Sequence, residues 1–212
     1  MAILTKGIFG PITGSLGNLV FCICVNGTNY VRTKPNKTKK PPSMAQTAQR
    51  KRFAIAAKFL NPLKDILNKG FHKNRKKGTS AMSVAMGAML GSDIIGDAPD
   101  FPIDFSRVEL SRGSLQHTPG LRMKVAGRDI VMLEWDCQTN QLNSFADDTV
   151  LAVVYNVTQE KFVIGGPAYR EDEVMLVKLE GASPEDRFVM YAFMETRNGN
   201  TCAQFVGEFS LV

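Results

Sequence analysis

The chain carries the apolar run Leu-Val-Phe-Cys-Ile-Cys-Val at residues 19–25, and Asn26-Gly27 and then Tyr30-Val31 follow it. An Asn-Gly pair between two β-prone runs is a strong hairpin signal, because both central positions of a type I′ turn need positive φ. The sequence therefore predicts a β-hairpin at residues 18–34. Its first strand is apolar on both faces, so it needs cover on each side from the rest of the fold or from another subunit. The residues assigned to this assembly hairpin are Leu19, Phe21, Ile23, Val25 and Tyr30.

Glycines recur every three or four residues from Gly7 to Gly17, ahead of the apolar run. A phosphate-binding loop would need a following Gly-Lys-Ser/Thr and a helix, and the next element is predicted to be a strand. The glycines are interpreted as positions for tight turns.

Residues 34–42 combine prolines and cations, which predicts an extended arm. Helices are predicted at 43–71, with Ser43 as the N-cap, and at 80–91. Asn61-Pro62 should kink or divide the first helix. Its apolar stripe recurs at steps of three and four residues and comprises Phe53, Ala56, Leu60, Leu63, Leu67 and Phe71.

Beyond Pro99 the sequence changes to short β-prone runs separated by turn residues. Eight candidate strands, the first at 103–110, are typical of an antiparallel sandwich. We therefore predict an α+β chain, with a basic N-terminal module at 1–98 and an Ig-like β-sandwich at 99–212. Trp135 is expected in the sandwich core.

Charge is unevenly distributed along the chain. Residues 31–78 hold fifteen basic residues and one acidic residue, whereas residues 79–212 hold ten basic and nineteen acidic residues. This asymmetry predicts a polyanionic partner or head-to-tail attraction between copies of the chain. The residues predicted to contact a polyanion or a neighbouring subunit are Arg32, Lys34, Lys37, Lys39, Lys40, Arg50, Lys51, Arg52, Lys58 and Lys69.

Nothing in the sequence forms a catalytic or metal-binding motif. His72 lies in a basic cluster and His117 in a turn, and neither stands in a nucleophile or metal pattern. Cys22-x-Cys24 could begin a metal site, but no further ligand follows nearby. Acidic groups such as Asp147-Asp148 are expected in solvated turns. We predict no enzyme activity, no metal and no cofactor.

The longest apolar run, residues 19–25, is too short to cross a membrane, and the N-terminus lacks a signal-peptide pattern. The expectation is a protein made in the cytoplasm, without a membrane partner, and incorporated into a virion if it serves a phage.

Three motifs carry a family resemblance: Gly14-x-x-Gly17-Asn18, Tyr30-Val-Arg32 and the Ala-Gln-x-Ala-Gln-Arg segment that ends at Arg50. With them the chain resembles an uncharacterised domain family of Bacteroidetes-type genomes, and similar N-terminal patterns occur in tailed-phage structural proteins. The resemblance implies a Gly-rich hairpin, a helix and a C-terminal Ig-like sandwich. That family has no established activity, so no functional residue is transferred.

The leading hypothesis is a non-enzymatic structural subunit of a multi-subunit assembly, such as a phage head, neck or tail, whose partners are copies of itself or other virion subunits. The alternative is a cytoplasmic nucleic-acid-binding protein that uses phosphate contacts from residues 31–78. A third option is a sandwich module that binds a carbohydrate or a protein.

Overall fold

The computed structural model describes residues 2–4, 12–23, 29–36, 40–71, 79–96, 100–113, 119–140, 142, 144–197 and 199–211. These residues belong to two compact units. Unit 1 comprises Met1–Thr47 with Lys76–Thr79, and unit 2 comprises Ala48–Arg75 with Ser80–Val212. Among the described residues, no helix is long and apolar enough to cross a bilayer.

Unit 1 contains a four-stranded antiparallel sheet in the order β1-β2-β3-β4. Its strands are β1 (Ala2–Leu4), β2 (Ile12–Leu16), β3 (Leu19–Ile23) and β4 (Asn29–Thr33). The predicted hairpin at 18–34 is present, because β3 and β4 pair from Leu19 opposite Thr33 to Ile23 opposite Asn29. The predicted Asn26-Gly27 turn and Val25 lie outside the described residues.

The helices begin with α1 (Met44–Leu60), which is capped as the sequence predicts. Ser43 Oγ accepts from the Gln46 N–H at 3.3 Å, and Gln46 Oε1 accepts from the Ser43 N–H at 3.1 Å. This reciprocal pair is a capping box.

Pro62 divides the helical stretch, as expected from its missing N–H. A 3-10 turn at Asn61–Leu63 separates α1 from α2 (Lys64–Gly70). The next helix, α3 (Ala81–Ala88), is capped by Ser80 and continues as a π-helical turn at Met89–Asp93.

Two further antiparallel sheets complete unit 2. One contains β7 (Thr149–Asn156), β8 (Lys161–Tyr169), β10 (Phe188–Thr196), β11 (Gly199–Asn200) and β12 (Gln204–Phe209). The other contains β5 (Arg122–Val125), β6 (Ile130–Glu134) and β9 (Val174–Lys178). In the larger sheet β10 is central, with β7 on one side and β11 and β12 on the other.

The larger sheet is buried on both faces, which decides the architecture of unit 2. On β7, Val150 and Ala152 pack in a core shared with Val131 of the smaller sheet. Leu151 and Val153 point the other way, into a core shared with the helices. Unit 2 is therefore layered as helices, larger sheet and smaller sheet, and strands buried on both faces read as continuous apolar runs.

The chain is thus α+β with a β-rich C-terminal part, but a closed Ig-like sandwich is not confirmed. Among the described residues, helices cover one face of the larger sheet, and the three strands of the smaller sheet cover the other. The predicted division near residue 98 does not coincide with the two compact units, because α2 and α3 belong with the C-terminal sheets.

The strand predicted at 103–110 is wrong. Residues Phe105–Arg107 form a 3-10 turn, capped by Asp104, whose Oδ1 accepts from the Ser106 hydroxyl at 2.6 Å. Its β-prone composition instead supplies buried contacts, since Val108 and Leu110 both pack in the helix–sheet core. Local propensity is overridden here by packing.

Candidate interaction surface

The register of the unit 1 sheet gathers apolar side chains on one face. Leu19 lies opposite Leu16, and Phe21 lies opposite Val31. Alternation along β3 places Ile23 on this face too. We call these five side chains, Leu16, Leu19, Phe21, Ile23 and Val31, the unit 1 apolar face.

The five side chains of this face are exposed or half-buried. Leu16 is 65% exposed, Val31 53% and Leu19 43%. Across residues 12–23, 29–36 and 40–47, no side chain is buried. An antiparallel sheet normally gains its stability by burying one face, and the side chains of β2, β3 and β4 form no buried core of that kind.

The opposite face of the sheet is more polar than the sequence suggested. Val20 lies opposite Ser15 and Arg32, and Cys22 lies opposite Tyr30. The sequence predicted that β3 needs cover on both sides, whereas the sheet has one strongly apolar face. Cys24 lies outside the described residues. β3 alone could not show this, because the neighbouring strands decide the composition of each face.

The sequence analysis missed β1, β2 and the turn between β2 and β3. Leu16 and Leu19 pair across a two-residue turn at Gly17-Asn18, and Gly17 has a φ of 58°. Glycine at the first central position of a two-residue hairpin turn is the signature of type II′. That dipeptide was the signal that could have located the second hairpin.

Most of the predicted contact cations are exposed. They are Arg32, Lys34, Lys40, Arg50, Lys51, Lys58 and Lys69. Lys37 and Lys39 lie outside the described residues. The exposed cations do not belong to one unit: Arg32, Lys34 and Lys40 lie in unit 1, and the others in unit 2.

Two of the predicted cations already have partners in unit 2. The Arg52 guanidinium donates to the Ile94 carbonyl at 2.7 Å and stands 5.5 Å from the centroid of the Phe101 ring. Lys58 forms an exposed ion pair with Glu160. Arg52 therefore anchors α1 inside unit 2, and its availability for an external phosphate is reduced accordingly.

The N-terminal third of the chain is uniformly basic. The first 64 residues contain eleven basic residues, and the first acidic residue is Asp65. Unit 1 as a whole holds eight basic residues and no acidic one. Its apolar face is thus presented by a unit whose charged residues are all basic.

Asp148 departs from the expected solvated turn. Its carboxylate is buried and accepts from Arg170 Nε at 3.1 Å and from the Phe145 N–H at 2.9 Å. Trp135, placed in the core as predicted, donates through Nε1 to the Arg170 carbonyl at 2.9 Å. The contacts among Asp148, Arg170 and Trp135 connect loops of unit 2. The spacing of these residues in the sequence gives no indication of them.

Acidic and histidine residues provide no site within the described part of the chain. No cluster of three or more His, Cys, Asp or Glu side chains there could hold a metal ion. His72 and His117 lie outside the described residues. Glu134 and Asp136 flank Trp135 and are half-buried and exposed, respectively, and Glu134 pairs with Lys124 at 2.7 Å.

One protein family matches the chain across both units. Its description is "Family of unknown function (DUF6266)", and the match covers residues 12–203. The chain belongs to this family. The family range begins at the first residue of β2 and ends one residue before β12, so it includes the β2–β3–β4 part of the unit 1 sheet as well as the helices. The expected resemblance to an uncharacterised domain family is confirmed at that level. None of the curated proteins compared with the chain matches it.

Proposed function

We propose that this member of the family is a non-enzymatic structural subunit that enters a multi-subunit assembly through the unit 1 apolar face. One observation carries the proposal: an amphipathic four-stranded sheet that has no buried side chain across residues 12–23, 29–36 and 40–47. Contiguous exposed apolar patches on such a sheet mark interaction sites.

The energetics of the face support association. Fully burying one large apolar side chain contributes about 1.5 to 3 kcal/mol. The loss of translational and rotational freedom on association costs about 4 to 15 kcal/mol. A partner that covers several side chains of the face together supplies free energy of that order, whereas a partner that covers one does not.

Charge favours other copies of the chain as partners. Unit 1 is wholly cationic, and residues 79–212 hold nineteen acidic and ten basic residues. A contact between unit 1 of one copy and the acidic region of the next would be heterologous, and such contacts build rings or filaments. The N-terminal motifs make a phage virion the assembly we put forward.

The test is the size of the purified chain in solution, measured by light scattering after size exclusion. We expect concentration-dependent oligomers. The double variant Leu19→Thr with Val31→Thr should shift them to monomer, because threonine keeps the β propensity and shortens or polarises the apolar side chain. The matched control is Leu176→Thr on β9, a strand position that is 62% exposed.

Two outcomes would overturn the proposal: a wild-type chain that stays monomeric at high concentration, or oligomers that the double variant leaves intact. Measurement at low and at high salt separates the contributions. Oligomers that dissociate in high salt depend on charge attraction, whereas apolar contact is maintained there.

Nucleic-acid binding is the second candidate, favoured by the run of eleven basic residues before the first acidic one. Arg32, Lys34 and Lys40 are exposed and could contact phosphates. A monomer that shifts duplex DNA, with affinity falling steeply as salt rises, would support this function over assembly.

A further inference from the structure

A small cavity in unit 2 has the composition of a ligand site. Its walls are Ile55 and Phe59 of α1, Ile103, and Tyr155 and Phe162 of neighbouring strands, and its volume is about 170 Å³. The aromatic rings are in mutual contact, with the centroids of Phe59 and Tyr155 5.0 Å apart and those of Tyr155 and Phe162 4.5 Å apart.

The volume fits one aromatic ring. Cavities of about 150 Å³ lined by Leu, Ile and Phe stay dry and bind benzene. The apolar part of this lining has the same chemistry, and edge-to-face contact with the existing rings suits a further ring.

The aromatic wall of the cavity carries one hydroxyl, that of Tyr155. Only 8% of Tyr155 is exposed. A single polar group on an otherwise apolar wall can fix the orientation of a bound ring.

The charged lining residues are Lys58 and Glu160, which are paired and exposed. Burial, and secondarily the Glu160 carboxylate, raise the pKa of the Tyr155 phenol. A tyrosine phenol is protonated at neutral pH even without this shift, so the hydroxyl can donate a hydrogen bond.

We propose that this cavity binds a small molecule of the phenol class, a single aromatic ring with one polar substituent. The ring lies among Ile55, Phe59 and Phe162, and the substituent exchanges a hydrogen bond with the Tyr155 hydroxyl. The site is independent of the unit 1 apolar face, because every residue that lines it belongs to unit 2.

The test is a titration of the full chain with phenol, followed by the isoleucine methyl resonances in NMR spectra. The Ile55 and Ile103 methyl groups should shift saturably through ring-current effects, whereas the Ile130 methyl group on β6 should not. Toluene, the matched probe without a hydroxyl, should bind at the same place more weakly.

Two variants make the result decisive. Ile55→Phe should fill the cavity and abolish binding of both probes, whereas Val125→Phe on β5 should leave it unchanged. Tyr155→Phe should weaken phenol binding about two- to tenfold, the value of one net hydrogen bond, and change toluene binding less than twofold.

The proposal is overturned if phenol causes no saturable shift at Ile55 and Ile103, or if Tyr155→Phe weakens both probes equally. Should Ile55→Phe fail to fold, the phenol and toluene comparison in Tyr155→Phe decides alone, because it needs only that variant and the wild type.

Discussion

The Arg170 guanidinium and the Asp148 carboxylate form a 3.1 Å ion pair whose side chains are only 3% and 1% exposed. Taking two charges out of water is costly, and each buried charge is tolerated because the other compensates it. Arg170 also offers its carbonyl to Trp135, and Asp148 fixes the Phe145 N–H. One buried pair therefore connects the loop at residues 144–148, the turn after β8 and the only tryptophan of the chain.

Removing one partner of this pair should strongly destabilise the protein. For Arg170→Met we expect a loss of about 3 to 5 kcal/mol in the free energy of unfolding, because Asp148 would remain as an uncompensated buried charge. Urea titration followed by Trp135 fluorescence would measure it. Arg187→Met is the control: its exposed pair with Glu208 should cost less than about 1 kcal/mol. Equal losses in the two variants would refute the distinction.

Gly113 should tolerate no side chain. A Cβ at this position would lie 1.5 Å from the Asn200 carbonyl oxygen, a backbone atom that cannot move aside cheaply. Gly113→Ala should therefore lower the thermal midpoint by several degrees. Gly87, in α3, has nothing within 4 Å of such a Cβ, and Gly87→Ala should stabilise by about 0.5 to 1 kcal/mol through helix propensity. Scanning calorimetry would measure the thermal midpoint of both variants. An unchanged midpoint in Gly113→Ala would contradict the prediction.

Asp93 should make stability fall with rising pH. Burial raises the pKa of this carboxyl, and Glu109 and Asp104 add to the rise, whereas the Ser92 hydroxyl and Arg107 oppose it. The folded state therefore holds a proton that the unfolded state releases near pH 4. The contribution of Asp93 to the free energy of unfolding is fully present below its pKa in the unfolded state. It is lost as pH rises through its pKa in the folded state.

Asp93→Asn removes that titration. We expect the difference in unfolding free energy between variant and wild type to move in favour of the variant from pH 4 to pH 7, as measured by urea titration at each pH. A difference that does not change with pH would show that Asp93 has an ordinary pKa in the folded state.

Charge reversal at Lys51, Lys58 and Lys69 should leave the thermal midpoint nearly unchanged, because all three side chains are exposed and the Lys58 pair with Glu160 is solvated. If the chain binds nucleic acid, the same triple change to glutamate should reduce DNA affinity, because it replaces three exposed cations with anions. A variant that fails to fold would contradict the exposed placement of these three lysines on α1 and α2.

Several features could be predicted because their causes are local. Ser43 caps α1 through its own side chain, Pro62 breaks the helix by lacking an N–H, and the β3 and β4 runs have the composition of paired strands. The amphipathic stripe was right from Ala56 to Phe71, but Phe53 is 52% exposed. Periodicity identifies a possible buried face, and only a neighbouring surface decides how far along the helix it is covered.

The sequence by itself determined the concentration of positive charge before Asp65, the breaks between elements and the apolar character of β3. These depend on composition and on residues a few positions apart. Only the tertiary structure decided that helices cover the larger sheet, that Asp148 meets Arg170 and that Tyr155 lines a cavity. Each joins residues distant in the chain, and burial of the apolar faces of β7 and β10 from both sides brings them together. The unit 1 apolar face depends on both the sequence and the tertiary structure. The composition supplies its apolar side chains, and the strand register places them on one side of the sheet.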